Sequence, residues 1–148
     1  MRLQTKIMTA LKEAMKSKDK VALEALRAIK LALLLAQTSG GDKVINKAEE
    51  LKILQRLVKQ RKESAAIYVE QGRQDLAEPE LAQVKIIAQF LPEQMSPEAL
   101  KKVISDIIQQ TGATTMKDMG RVMGIASKQL AGKADGKAIS TIVKQLLA

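Results

Sequence analysis

The chain has 148 residues, 46% of them apolar and 28% charged, with a formal net charge of +9 and neither cysteine nor histidine. That apolar content is enough to bury a core, while the missing residue types leave out disulfides, thiol nucleophiles, zinc sites built on thiolate or imidazole, and the commonest general base. Aromatics amount to 1%, Tyr68 and Phe90 alone, and the apolar content is spent on Leu, Ala, Ile and Met. Strands favour β-branched and aromatic side chains, so the expected class is all-α.

Charge is spread unevenly. Residues 1–91 hold 17 basic and 11 acidic groups, residues 92–112 hold 2 and 3, and residues 113–148 hold 6 and 2. The last segment is the most basic per residue, which favours anionic partners, nucleic acid before membrane; a solvated basic surface kept for solubility is the alternative. No apolar stretch of signal-peptide length precedes Lys12, and the longest apolar run, residues 31–36, falls far short of a membrane span. A cytoplasmic protein is expected.

In chain order, Leu3, Ile7, Ala10, Leu11, Ala14 and Met15 recur at helical spacing and predict a first helix over residues 3–17. Asp19 is the expected N-cap of a second helix reaching Gln37. Val21 through Leu35 are apolar nearly all round that helix, which predicts burial in the middle of its domain. Residues 38–42 read as a loop. Asn46 and Glu49 have the spacing of a capping box opening a third helix, with Gly72 as its stop. Arg61 falls inside the apolar stripe of that helix, where a cation snorkels or pairs with a carboxylate from a neighbouring helix. Lys52, Arg56 and Lys59 line another side and read as a solvated face. Asp75 is the expected cap of a fourth helix ending near Phe90, with Pro79 in its first turn.

Leu91-Pro92-Glu93-Gln94-Met95 breaks the pattern, and the domain boundary is placed there: an N-terminal four-helix domain over residues 1–94 and a small C-terminal three-helix bundle over 95–148. Ser96-Pro97-Glu98 is a strong helix start. The fifth helix runs to Gln110. Thr115 caps the sixth, Gly132 ends it, and Asp135 caps the seventh.

The sixth helix carries the candidate site. At about 100° per residue, Lys117, Arg121, Gly124 and Lys128 fall within roughly 60° of one another, with Gly120 on the shoulder of the same stripe. Met116, Met119, Val122, Met123, Ala126 and Leu130 gather opposite, as a core face. Three cations beside a residue without a side chain suit the close approach of a phosphate backbone. Lys133 and Lys137 flank the Gly-rich turn before the seventh helix, whose N-terminal N–H groups can add to a phosphate site, although Asp135 as a cap occupies some of those donors. Close helix–helix packing is the alternative reading of Gly120 and Gly124. With two aromatics in the chain, stacking platforms are lacking, so binding is expected by shape and phosphate, as for a folded RNA, without DNA specificity. No nucleophile elbow or P-loop is present, and Glu49-Glu50 and Glu78, Glu80 do not pair on one face. No catalytic residue, metal ligand or cofactor is expected. Membrane-surface binding is disfavoured, because no helix combines a basic face with aromatic anchors.

Gly120-Arg121-Val122-Met123, the turn Gly132-Lys133-Ala134-Asp135-Gly136-Lys137 and the closing Val143-Lys144-Gln145-Leu146-Leu147 resemble the tail domain of the B subunit of tRNA-dependent amidotransferases. Lys59-Gln60-Arg61-Lys62-Glu63-Ser64, Gly72-Arg73-Gln74-Asp75-Leu76-Ala77 and Phe90-Leu91-Pro92-Glu93-Gln94 resemble free-standing members of the GatB/YqeY family. The match spans nearly the whole chain, and the order and spacing of its short motifs make it specific. It implies a helical domain followed by a three-helix tail that grips tRNA, with Lys117, Arg121, Lys128, Lys133 and Lys137 as contacts and Gly120 and Gly124 as close-approach positions. It further implies amidotransferase subunits or an aminoacyl-tRNA synthetase as partners. The large catalytic cradle of the amidotransferase subunit has no counterpart here, so a carbon–nitrogen ligase label using glutamine as amido donor would be inherited. The expectation is a non-catalytic tRNA-binding accessory protein. Its rivals are a subunit of an amide-transferring complex and a helical protein–protein adaptor.

Overall fold

The computed structural model describes residues 2–39 and 44–148, and those residues form helices joined by turns, with no strand among them. The fold is all-α, as expected. Among the described residues seven α-helices follow in order: α1 Leu3–Ser17, α2 Lys20–Thr38, α3 Lys47–Glu70, α4 Gln74–Ala88, α5 Pro97–Thr111, α6 Met119–Gln129 and α7 Gly136–Leu147, with a 3₁₀ turn at Met116–Asp118 leading into α6. Contacts divide the chain into two compact units, Met1–Pro92 and Glu93–Ala148. No helix among the described residues is long and apolar enough to cross a membrane.

In the first unit α1 and α2 are joined through Lys18, which takes a left-handed conformation (φ 58°) and donates its N–H to the end of α1. Asp19 then caps α2 by accepting from the Ala22 N–H at 3.0 Å, as its position predicts. α2 packs against α1, α3 and α4. Ala22, Ala25, Leu26, Ile29 and Leu33 enter the core with Ile7, Leu11 and Ala14 of α1, Ile45, Leu54 and Ile87.

The prediction that α2 is buried all round is corrected by its other side. Leu31, Leu34 and Leu35 are more than half exposed, because three neighbours cannot surround a helix and these positions point away from the core stripe. Of the expected loop over residues 38–42, Thr38 is the last residue of α2, Ser39 follows it, and Gly40 to Asp42 lie outside the described residues.

Asn46 caps α3, accepting from the Glu49 N–H at 2.8 Å. Gly72 (φ 72°) follows the end of that helix. Arg61 has the structural role its place in the stripe suggested, through an intermediary. Its Nε donates to Gln83 Oε1 of α4 at 2.8 Å, its Nη1 donates to the Leu57 carbonyl, and the Gln83 amide donates to Glu24 of α2 at 3.0 Å. One glutamine thus carries an arginine on α3 to a carboxylate on α2.

Asp75 is not the cap of α4. The helix begins two residues earlier than that cap implies, with Arg73 as N-cap and no side-chain cap bond, and Asp75 instead pairs with Arg73 at 2.9 Å. Counted from Gln74, Pro79 sits in the second turn, where its missing N–H withdraws the bond the Asp75 carbonyl would otherwise receive.

The second unit is built on Leu100, Ile104 and Ile107 of α5, Val122 and Ala126 of α6, and Ile139, Val143 and Leu147 of α7, with Ala113 and Leu130 closing the core. Ser96 caps α5 through the Ala99 N–H with Pro97 at the first helical position, and Gly112 (φ 70°) ends it. Asp135 caps α7 through the Ala138 N–H at 2.8 Å. The fold of this unit leaves one face of α6 outward.

Candidate nucleic-acid interface

Two features of the local sequence start α6. Asp118 Oδ2 accepts from the N–H groups of Thr114 (3.0 Å) and Thr115 (3.4 Å), closing the turn over residues 114–118. Val122 and Ala126, spaced one turn apart, then bury one side of the helix completely, with Met119 and Met123 half-buried beside them. Thr115 heads the 3₁₀ turn, not α6 itself, so Lys117 stands on that turn and departs from the 100° wheel that grouped it with Arg121. Met116, assigned to the core face, is 45% exposed for the same reason.

The opposite side of α6 is open. Gly120 and Gly124 are both exposed, and a Cβ added at either would meet no heavy atom within 4 Å. That removes close helix–helix packing as the reason for these glycines in this chain. Gly136, in the first turn of α7, is equally open. Its place directly after the Asp135 cap was visible in the sequence, but nothing there marked it as outward-facing.

The sequence-predicted cations divide into two kinds. Lys117, Lys128, Lys133 and Lys137 are exposed, and no ion pair among the described residues involves them. Arg121 is exposed too, yet its Nη2 donates to the Thr111 carbonyl at 3.1 Å and to Asp118 Oδ1 at 3.5 Å. It ties the end of α5 to the start of α6 and keeps its remaining guanidinium donors for solvent or a ligand. Arg121 is therefore part of the scaffold as well as a candidate contact.

Two carboxylates among the described residues stand beside these cations, Asp135 as the cap of α7 and Asp118 at the start of α6. The Thr114 and Thr115 N–H groups, with Arg121 adding attraction, hold the Asp118 carboxyl below the usual aspartate range. Its charge is directed at its own backbone, which lessens its opposition to an incoming anion.

Lys133 and Lys137 are placed by a turn that α6 leaves through Gly132 (φ 78°). Segment 94–95 fastens this turn: the Gln94 side-chain amide donates to the Gly132 carbonyl at 2.6 Å, and the Met95 N–H donates to the Lys133 carbonyl at 3.0 Å. Sequence reasoning assigned Gln94 and Met95 to a domain break and missed this clasp, since no local pattern announces a contact 38 residues away. Lys137 occupies the second position of α7, the positive end of the helix dipole, with no acidic residue in that first turn. A cation there costs roughly 0.3–1 kcal/mol in isolation, which the Asp135 cap carboxylate at the same helix end offsets in part and an incoming anion would offset further.

The sequence profile of the Yqey-like proteins matches residues 4–147. The chain belongs to the YqeY-like family. Among curated relatives, this family member is 38% identical over 55 residues to the E subunit of the glutamyl-tRNA(Gln) amidotransferase of Thermococcus gammatolerans, a match covering 34% of this chain. It is 46% identical over 57 residues, 36% of this chain, to the protein of the same name from Methanococcus maripaludis. The matches span only 9% of either relative's own length.

Proposed function

We propose that this YqeY-like chain is a cytoplasmic tRNA-binding accessory protein, without an active site of its own, that holds folded RNA on the open face of its C-terminal bundle. The observation that carries the reading is the pairing of bare backbone with cations. Gly120 and Gly124 leave about 6 Å of α6 without side chains, Arg121 and Lys128 border that strip on the same helix, and Lys117 is exposed on the turn just before it. Lys133 and Lys137 extend the charge onto the turn and the start of α7. A ribose–phosphate strand can lie against such a strip in van der Waals contact while the lysines meet its phosphates. The face carries no aromatic side chain, so recognition is of shape and charge. The name that the two relatives share, that of a glutamyl-tRNA amidotransferase component, supports tRNA as the RNA.

Replacing Lys128, Lys133 and Lys137 together by glutamate tests the reading. All three are exposed, and no ion pair among the described residues involves them. Far-UV circular dichroism should therefore not change, while saturable binding of labelled tRNA should disappear. Unchanged tRNA affinity in the folded triple variant would refute the proposal. The relatives' name also favours a second reading, association with a glutamyl-tRNA amidotransferase assembly. Co-purification with its subunits, insensitive to this triple change, would support that one instead.

A further inference from the structure

The tail does not account for the charge on α3. Lys52, Arg56 and Lys59 are all exposed, at spacings of four and three that put them in one row on the side of α3 away from buried Leu54 and Ala65. No ion pair among the described residues involves any of the three. The helix's other central arginine, Arg61, is tied into the fold, donating to Gln83 and the Leu57 carbonyl. The row is thus not needed for packing. It is also unfavourable for the helix alone, since like charges three and four residues apart repel by roughly 0.2–0.5 kcal/mol per pair. A face kept only for solubility intersperses the signs. Here the three cations run with no acid between them on their face: Glu49 and Glu63 stand in line with the row one turn before and one turn after it, and Glu50 falls on another side of α3.

We propose that Lys52, Arg56 and Lys59 form a second phosphate-contacting stripe, giving the protein two separate grips on one RNA. The proposal rests on the tRNA-binding reading above. Seven residues of helix rise carry the row about 10 Å along its axis. Neighbours in the row stand about 4.5 to 6 Å apart along that axis, so long side chains at these three positions reach successive or alternate phosphates of one strand. The row lacks apolar or aromatic anchors, which a protein partner would need at the centre of its interface. Phosphate contacts made here add affinity without sequence preference.

The test uses the full chain and labelled total tRNA, with affinity measured by anisotropy across a salt series. Three proteins are compared: the unaltered chain, Lys52→Ala/Arg56→Ala/Lys59→Ala, and Lys128→Ala/Lys133→Ala/Lys137→Ala. Alanine is the best helix former, so the α3 variant should keep its circular dichroism. Lys52→Arg/Lys59→Arg, which retains every charge, serves as the check on folding and should bind like the unaltered chain. Losing three phosphate contacts should make the log–log salt slope shallower by about 2 to 3 and weaken binding by about 10- to 100-fold at physiological salt. An α3 variant with the unaltered slope and affinity, beside a tail variant that no longer binds, overturns the second grip and leaves the tail reading in place. Absence of saturable tRNA binding by the unaltered chain overturns the reading beneath it.

Discussion

Gly124→Ala separates the two things a surface glycine can do. Gly124 lies in the interior of α6, with ordinary helical geometry and open space where a Cβ would go. Alanine there removes conformational freedom from the unfolded chain and meets no clash, so the substitution should stabilise the helix by about 1 kcal/mol. If Glu93–Ala148 melts as its own unit, that is a rise of roughly 4–8 °C in Tm; if the chain melts as one, roughly 2–4 °C. The same methyl stands on the strip against which the RNA backbone is proposed to lie. Holding that backbone off by an ångström forfeits contact and weakens the flanking lysine–phosphate pairs. A loss of about 1.4 kcal/mol is tenfold in affinity. Calorimetry and tRNA anisotropy on the same preparation should therefore move in opposite directions, Tm up and affinity down. A rise in Tm with unchanged affinity would refute close approach at Gly124, and a fall in Tm would contradict the open space itself.

Other outcomes follow from the bonds around the site. Arg121→Ala removes the donor to the Thr111 carbonyl and should cost about 1 kcal/mol, lowering the Tm. Because Arg121 is part of the scaffold, its loss of tRNA affinity should exceed that of Lys128→Ala, and equal effects on both readouts would remove its structural role. Asp118 is held below its ordinary range, so its contribution is complete above the unfolded value near 3.9 and is lost as pH falls through the folded value. Asp118→Asn keeps an acceptor without the titration, so its Tm should fall less steeply than the parent's as acid is added below about pH 4; parallel curves would assign the acid sensitivity elsewhere. Gln83→Ala cuts the link between Arg61 and Glu24 and should destabilise by about 1–2 kcal/mol, read by urea denaturation, whereas no change would mean that solvent replaces the relay.

Caps and apolar spacing made most of the helices legible. Asp19, Asn46, Ser96 and Asp135 each accept the backbone N–H that their positions suggest, because an Asx or Ser cap acts over three residues and needs no tertiary context. What failed depended on neighbours. Asp75 had the form of a cap but found Arg73 two residues away, and the helix began without it. Leu31, Leu34 and Leu35 look buried by composition, yet burial is decided by how many helices surround α2. The outward direction of Gly120 and Gly124 was half legible: periodicity separated them from Val122 and Ala126, but only the packing of α5 and α7 shows which side is left open. Lys117 left the wheel because a 3₁₀ turn, set by Asp118 binding back to Thr114 and Thr115, precedes the helix. The Gln94 clasp on Gly132 has no local signature at all.

The most direct test of the central claim is anisotropy of the full chain with labelled total tRNA across a salt series, with duplex DNA of similar length as competitor. The account predicts saturable binding that prefers tRNA, with a log–log salt slope corresponding to several phosphates. Equal, weak binding to both nucleic acids, gone at physiological salt, would contradict it and reduce the +9 charge to a solvated surface.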